Sequence, residues 1–286
     1  MENEILKEKV QNIIQLPALP AIAVEVASLI DNPNTSVSRI TQVISADQVL
    51  TAKVLKIANS PFYGFQKKIS TLDFAIMVLG FDSLKEILIS VSLISAFKKK
   101  QDKYFDSREF WEHSLASAIA ARTLARQLGY RISGESFVAG LLHDIGILVT
   151  HQYFYEDYKR IVEAVTDGKA TFQDTEQEVL FATHGEIGAW LAERWNLPDQ
   201  LIETIKFHHK PELAERNPQL TALIHFVDYL CHKLQIGMFS YERVETYNPQ
   251  ALKTLNLSES EVTQSFLDTF GSRLRQDLEK TFVGII

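Results

Sequence analysis

Cysteine is almost missing from this chain. Cys231 stands alone among 286 residues, so no disulfide can close within it, and a reducing compartment is the expectation. Glycine (12) and proline (8) are sparse, which leaves few interruptions of regular structure and excludes collagen-like and low-complexity classes. No apolar run reaches the roughly 20 residues that a bilayer-spanning helix needs. The greasiest stretch, Ile87 to Phe97, is broken by serines and reads as a buried helix. Positive charge is not in excess either: 29 Lys and Arg stand against 36 Asp and Glu, a net charge of −7. No basic field therefore draws the chain onto nucleic acid or an anionic membrane. Met1 to Val10 mixes Glu and Lys without an apolar segment, unlike a secretory signal. These absences lead us to expect a soluble, cytoplasmic protein with no nucleic-acid or membrane partner. Phosphate-cradling glycine loops, C-x-x-C pairs and G-x-S-x-G elbows are also missing, so nucleophilic serine or cysteine catalysis has no support.

What is present is a large apolar fraction, 46%, arranged with helical periodicity almost throughout; the alternation that marks strands is scarce. Pro20 opens a run closed by Asn32-Pro33. Thr35 or Ser36 caps the next, and Asp47 caps a third that stops at Asn59-Ser60-Pro61. Thr71 starts a fourth ending at Gly80, and Asp82 starts a fifth ending in Lys98-Lys99-Lys100, cations suited to the negative end of a helix dipole. After a polar link the character changes. Ser107–Leu128 is rich in small residues that let neighbouring helices approach. Helices follow at about Gly134–Gln152, Glu156–Thr166, Gln173–Ala182, Gly185–Trp195, Asp199–His208 and Gln219–Gln235. A last one, Ser258–Thr281, carries Val262, Phe266, Phe270, Leu274 and Leu278 at steps of four. The expected architecture is all-α: one helical lobe over residues 1–100, a second helical bundle over 101–240 and an amphipathic extension over 241–286.

All eight histidines lie between His113 and His232. Asp228 sits inside the apolar stripe of Leu220, Leu223, Ile224, Val227 and Cys231, where a carboxylate is costly unless a metal, a cation or several donors satisfy it. A buried N–H acceptor or a salt bridge would serve as well as a metal. The pair His143-Asp144 raises the same question in the middle of an apolar helix. Candidate partners are His113 on the small-residue helix, His184 beside Gly185 and Gly188, and His208-His209 at a helix end before Pro211. Singly, each is an ordinary polar or core histidine. Together they make a nitrogen and oxygen set suited to iron, manganese, zinc or nickel. Asp144 can bridge two metals, and a metal-bound water would then be the nucleophile for phosphoester hydrolysis. His225, Asp228 and His232, spaced i, i+3 and i+7, are a competing one-helix stripe, but His225 and His232 flank rather than share the apolar face and read as polar-edge residues.

The ordered set His113, His143-Asp144, Asp228 resembles the H…HD…D signature of the HD superfamily of metal-dependent phosphohydrolases. His184 and His208-His209 look like the extra histidines of the HD-GYP branch, which hydrolyses cyclic di-GMP at a multi-metal centre. In the first lobe, Leu16-Pro17-Ala18-Leu19-Pro20, Ser45-Ala46-Asp47, Leu50 to Leu55, Ala58-Asn59-Ser60, Ala75-Ile76 and Leu79-Gly80 are similar to the N-terminal half of the HDOD domain, the HD-related output domain. The resemblance runs from about Leu16 to Leu234. It implies a helical fold, an HD-like second lobe and a role in bacterial signal transduction. Two departures bear on activity. No acidic-Gly-Tyr-Pro segment follows His209, and Ile147 stands where the phosphodiesterase branch has a lysine that would hold substrate phosphate. HDOD proteins commonly lack metal ligands and are regarded as regulatory, whereas this chain keeps the full candidate set. The expectation is a regulatory module acting through a signalling protein or small ligand, with a retained metal site. The alternative is a metal-dependent phosphohydrolase acting on a nucleotide or phosphodiester, and a metal-free scaffold is the third option. Oligomeric state is left open.

Overall fold

Capping side chains set the helix boundaries. Ser36 accepts from the backbone N–H of Arg39, Asp47 from those of Val49 and Leu50, Thr71 from that of Phe74, and Asp106 from those of Arg108 and Glu109. Each satisfies donors that a first helical turn leaves open. The computed structural model describes residues 2–13, 21–32, 34–59, 68–97, 101–130, 133–166, 170–237 and 246–285. Within these the helices are α1 (Glu2–Asn12), α2 (Ala21–Asp31), α3 (Val37–Ser45), α4 (Gln48–Ala58), α5 (Leu72–Ala96), α6 (Ser107–Gln127), α7 (Ser133–Leu142), α8 (Ile145–Tyr153), α9 (Tyr155–Thr166), α10 (Phe172–Leu180), α11 (His184–Arg194), α12 (Asp199–Phe207), α13 (Pro218–Lys233), α14 (Pro249–Thr254) and α15 (Gln264–Ile285). Among the described residues there is no strand, only an isolated bridge between Gln101 and Asp106. The fold is all-α, and no described helix is long and apolar enough to cross a membrane. The Leu16-to-Pro20 motif, Pro33, Ser60-Pro61 and the Lys98-to-Lys100 run lie outside the described residues.

Several details differ from the expected pattern. The expected boundary at Gly80 is present within α5, which is two helical segments meeting at a kink where Gly80 takes a non-helical φ of 75° and ψ of 166°. α15 begins at Gln264 rather than Ser258, because the Ser258 N–H and hydroxyl both donate to the Glu261 carboxylate (2.7 and 2.8 Å) around a 3-10 turn. Its buried stripe is Leu267, Phe270, Leu274 and Leu278; Phe266 is only half-buried and Val262 precedes the helix. α1 and α14 had no apolar stripe to announce them.

Contacts divide the chain into two units: residues 1–16 with 99–275, and residues 17–98 with 276–286. α1 therefore goes with the second lobe, not with the first hundred residues. It packs on α11, where Lys7 pairs with Glu193 at 2.9 Å and Arg194 donates to the carbonyls of Gln11 and Ile13, both at 2.8 Å. Residues 246–275 also join that unit. The Tyr130 hydroxyl donates to the Leu255 carbonyl at 3.0 Å, and Arg275 donates to the Leu234 carbonyl. In the smaller unit, Asn59 clamps Ile69 through two bonds of 2.7 Å, and the Thr41 hydroxyl donates to Asp73 at 2.8 Å.

The core of the larger unit forms around α6, α7 and α13. Leu220, Leu223, Ile224, Val227, Leu230 and Cys231 of α13 are buried, each large aliphatic side chain contributing about 1.5–3 kcal/mol. Small residues on α6 bring α7 close: a Cβ on Gly140 would stand 2.7 Å from the Ser117 carbonyl oxygen. Burial pushes the Cys231 thiol up to about 12, so it behaves as a core residue.

Candidate metal centre

His143 and Asp144 do not lie mid-helix, as the apolar run from Phe137 to Gly146 suggests. The run folds as two helices, α7 and α8, with this pair in the turn between them. His143 Nδ1 donates back to the Gly140 carbonyl at 2.8 Å. Neighbouring side chains on an unbroken helix diverge by about 100°. After the break both point the same way, with His143 Nε2 3.1 Å from Asp144 Oδ2. Asp144 occupies the N-cap of α8 yet makes no capping bond, although an Asp there ordinarily stabilises a helix by about 1 kcal/mol through one. The carboxylate faces inward instead.

The other six residues singled out in the sequence gather around it. Asp144 Oδ2 faces one group, 3.1 Å from His143 Nε2 and 3.5 Å from His113 Nε2. Its Oδ1 faces the other, 3.4 Å from His208 Nε2 and 3.6 Å from His184 Nε2. Asp228 Oδ1 lies 3.2 Å from His113 and 3.7 Å from His143, and its Oδ2 is 4.0 Å from His209 Nδ1. The donor atoms fall into two clusters small enough to hold an ion each: His113, His143 and Asp228, and Asp144, His184, His208 and His209. All but His209 are buried; its side chain is 11% exposed.

Three partners of these residues went unrecognised. Glu176 is buried and accepts from both the backbone N–H (3.0 Å) and Nδ1 (2.8 Å) of His184. It lies on the stripe Phe172, Thr175, Glu176, Leu180, so a carboxylate on an apolar face was there to be seen. His225 and His232 are not polar-edge residues: both are buried, because residues after α13 and His113 in the N-terminal part of α6 cover that side of the helix. His225 Nδ1 donates to the His208 carbonyl at 2.7 Å and its Nε2 accepts from the Asn248 N–H at 2.8 Å. His232 Nε2 lies 3.3 Å from Asp228 Oδ1.

These residues fit a divalent cation. Among the described residues, none of the four carboxylate oxygens of Asp144 and Asp228 accepts a well-formed hydrogen bond, although all are buried. Leaving such groups unsatisfied costs several kcal/mol. Nδ1 of His143, His184 and His208 each donates to a carbonyl or carboxylate (2.8, 2.8 and 2.7 Å). With the proton held on Nδ1, the Nε2 lone pairs point inward at one another and at the carboxylates. Outer partners of this kind fix the tautomer of metal-binding imidazoles. Removing the one that holds His184, by Glu176→Gln, should weaken metal binding about 10–100-fold, measurable by competition with a chromophoric chelator.

Comparison with known proteins settles the family. The HDOD domain pattern matches residues 16–211, about two thirds of the sequence. The chain belongs to the HDOD domain family. An HDOD domain protein of unknown function from Geobacter sulfurreducens is 26% identical, with a TM-score of 0.84 over 99% of this chain and 98% of that one. A "putative phosphohydrolase" of Shewanella amazonensis is also 26% identical, with a TM-score of 0.77 over 98% of both chains. An uncharacterized protein of Treponema pallidum is 29% identical over 234 residues, 81% of this chain; the chain spans about half that protein's length, 45%. The HDOD match takes in six of the seven candidate residues. Asp228, on α13, lies beyond it.

Charge in the HDOD centre sets a pH dependence. Burial would lower His143, but Asp144 and then Asp228 overrule it and hold the imidazole well above its usual 6.5. Burial would raise Asp144 and Asp228, yet the imidazoles around them, His143 foremost for the first and His232 for the second, keep both well below 3.8. Burial lowers His113, His208 and His209, so above pH 6.5 these are neutral folded or unfolded. The stability from a raised histidine is complete below its unfolded value and is lost as pH climbs through the folded one. The chelator-treated protein should therefore lose thermal stability as pH rises above 6.5. Metal-loaded protein should not, since a cation replaces the proton and binding strengthens as ligands deprotonate. Thermal melts across that range, with and without chelator, compare the two.

Proposed function

We propose that this HDOD protein is a bacterial signal-transduction module, acting in the cytoplasm by binding a partner protein or small ligand, and that its larger unit holds divalent transition metal at the His/Asp centre. Closure of the donor set carries the regulatory reading: of the seven side chains, only that of His209 has any appreciable exposure. Protein metal sites enclosed on all sides serve structure, whereas catalytic ones keep a position open. Ile147, buried in the first turn of α8, supports the same reading, because it supplies no cation where the HD-GYP resemblance implies a phosphate-holding lysine.

The two-cluster layout around Asp144 favours a second reading, a metal-dependent phosphohydrolase acting on a nucleotide or phosphodiester, and the name of the Shewanella relative agrees with it. Bound metal would supply polarised water for attack on phosphorus. The chain itself would contribute Asp144 as the carboxylate shared between clusters and His209 as the donor nearest solvent. The test is metal content of the purified protein, followed by phosphate release from nucleotide and cyclic-dinucleotide panels with added Mn²⁺ or Fe²⁺. Bound metal without turnover is the expected result. Turnover that Asp144→Ala abolishes would overturn the regulatory reading in favour of the enzyme.

A further inference from the structure

We infer that His225 and Asn248 are positioning residues for the cluster of Asp144, His184, His208 and His209: together they clamp the backbone that carries its last two donors. The inference rests on the metal-centre reading above and deepens it. Both residues lie beyond the 16–211 match to the HDOD pattern. α12 ends at Phe207, and a helix end leaves its last carbonyls without helical partners. For His208 the shortage is sharper, since the residue three positions on is Pro211, which has no N–H to give. The imidazole of His225 fills the gap from α13, its Nδ1 donating to the His208 carbonyl at 2.7 Å. Its Nε2 accepts from the Asn248 N–H at 2.8 Å, so the ring carries its proton on Nδ1. Burial lowers the pKa of His225, which favours the neutral ring that both bonds require.

Asn248 closes the clamp. It stands at the N-cap of α14, and its Nδ2 donates at 2.8 Å to Glu212 Oε2 in the 3-10 turn Pro211–Leu213. Residues 208–212 are therefore held at both ends, with His209 between. His208 is also fixed through its ring, whose Nδ1 donates to the Ile205 carbonyl at 2.7 Å. So held, His208 Nε2 lies 3.4 Å from Asp144 Oδ1, and His209 Nε2 lies 3.0 Å from His184 Nε2. Metal–donor distances hold to about ±0.2 Å, so a slip of this short backbone would open the cluster. The cluster of His113, His143 and Asp228 takes no donor from residues 208–212 and should not respond. The competing role for the clamp is to fasten α14 without bearing on metal.

Cobalt distinguishes the two roles. The full chain is stripped with chelator and titrated with Co²⁺, as parent, His209→Gln, His225→Leu and His225→Asn. His209→Gln marks the binding step that belongs to this cluster. His225→Leu discards both bonds and should weaken that same step about 10–100-fold, the usual effect of losing an outer partner, while leaving the other step as in the parent. His225→Asn returns an amide N–H close to where Nδ1 stood and should recover most of the loss. Unchanged Co²⁺ binding in His225→Leu, weakening of both steps alike, or the same loss in His225→Asn would overturn the assignment and leave the metal centre standing. A parent that binds no Co²⁺, or whose binding His209→Gln leaves untouched, would instead sink the metal-centre reading at this cluster, and this inference with it. If His225→Leu does not fold, His225→Gln replaces it and is read the same way, since its amide reaches the Nε2 position and not the Nδ1 position.

Discussion

Gly146→Ala should destabilise the protein by about 3–4 kcal/mol and abolish metal binding, a large effect for one methyl group. A Cβ at this position would stand 2.0 Å from the His184 carbonyl oxygen, with the His184 carbonyl carbon at 2.8 Å and the Gly188 nitrogen at 2.9 Å. All three are backbone atoms, so no rotamer change relieves the clash. Restoring ordinary contact at about 3.4 Å requires α8 and α11 to part by about 1.4 Å. That movement pulls His184, whose Nε2 now lies 3.0 Å from His209 and 3.3 Å from His208, away from its cluster. Overpacking a close-packed interface ordinarily costs about 1–3 kcal/mol, and a clash between two backbones belongs at or above the upper end. Gly188→Ala is the control. Its Cβ would meet the Ile205 Cγ2 methyl at 3.0 Å and both the Gly146 backbone nitrogen and the Ile145 Cγ2 methyl at 3.2 Å, shortfalls of only a few tenths of an ångström, so the loss should be about 1 kcal/mol. Denaturant unfolding and metal analysis of both variants check the pair.

Asp144→Asn should remove most bound metal and lower stability by about 3 kcal/mol. The substitution keeps the shape but discards the charge and turns one oxygen into an N–H₂ group, which cannot bind a cation. Both clusters lose by this, since Oδ2 serves one and Oδ1 the other. The loss also leaves His143 without its leading partner, and breaking a buried charge pair costs about 3–5 kcal/mol. For an ordered unit of this size, about 3 kcal/mol corresponds to about 6–12 °C in thermal midpoint. Asp199→Asn makes the contrast, because Asp199 pairs with Arg216 at the surface with both side chains 65% exposed. Exposed pairs of that kind contribute little, and its melting and metal content should match the parent.

That the seven candidate residues would gather in one place was legible because burial of charge leaves a pattern. Asp228 on the stripe of α13 and His143-Asp144 in an apolar run are expensive residues in cheap surroundings, and they pointed to one centre. The same logic, carried further, would have reached Glu176, which shares its face with Phe172 and Leu180. It would also have reached His232, one turn beyond Asp228. Those two were obscured by context. Glu176 sits among Asp174, Gln177 and Glu178, and only the arrival of the His184 backbone buries it. His232 lies near the end of its helix, where a histidine also suits the negative end of the dipole.

The break between α7 and α8 was not legible, since no proline stands between Phe137 and Tyr153 and its two glycines, Gly140 and Gly146, weaken a helix without fixing where it ends. The turn is held by one local bond, from the His143 ring to the Gly140 carbonyl, and by one tertiary contact, the close backbone approach at Gly146. α1 escaped notice for a related reason. Lys7 and Gln11 dock it onto Glu193 of α11, Asn3 donates to the Phe181 carbonyl at the end of α10, and the buried Leu6 and Val10 make too short an apolar row to stand out. Boundaries fixed by capping residues, such as Ser36, Asp47 and Thr71, needed no tertiary information and fell where the sequence put them.

The central claim is that the inward-facing imidazoles and the two buried carboxylates surround metal. Anomalous scattering from crystals, recorded on both sides of the absorption edge of whichever metal the purified protein carries, tests it most directly. The account predicts two peaks flanking the Asp144 carboxylate, one among His113, His143 and Asp228 and the other among His184, His208 and His209. A map with no peak there, in protein shown to retain its metal elsewhere or to bind none, would contradict it.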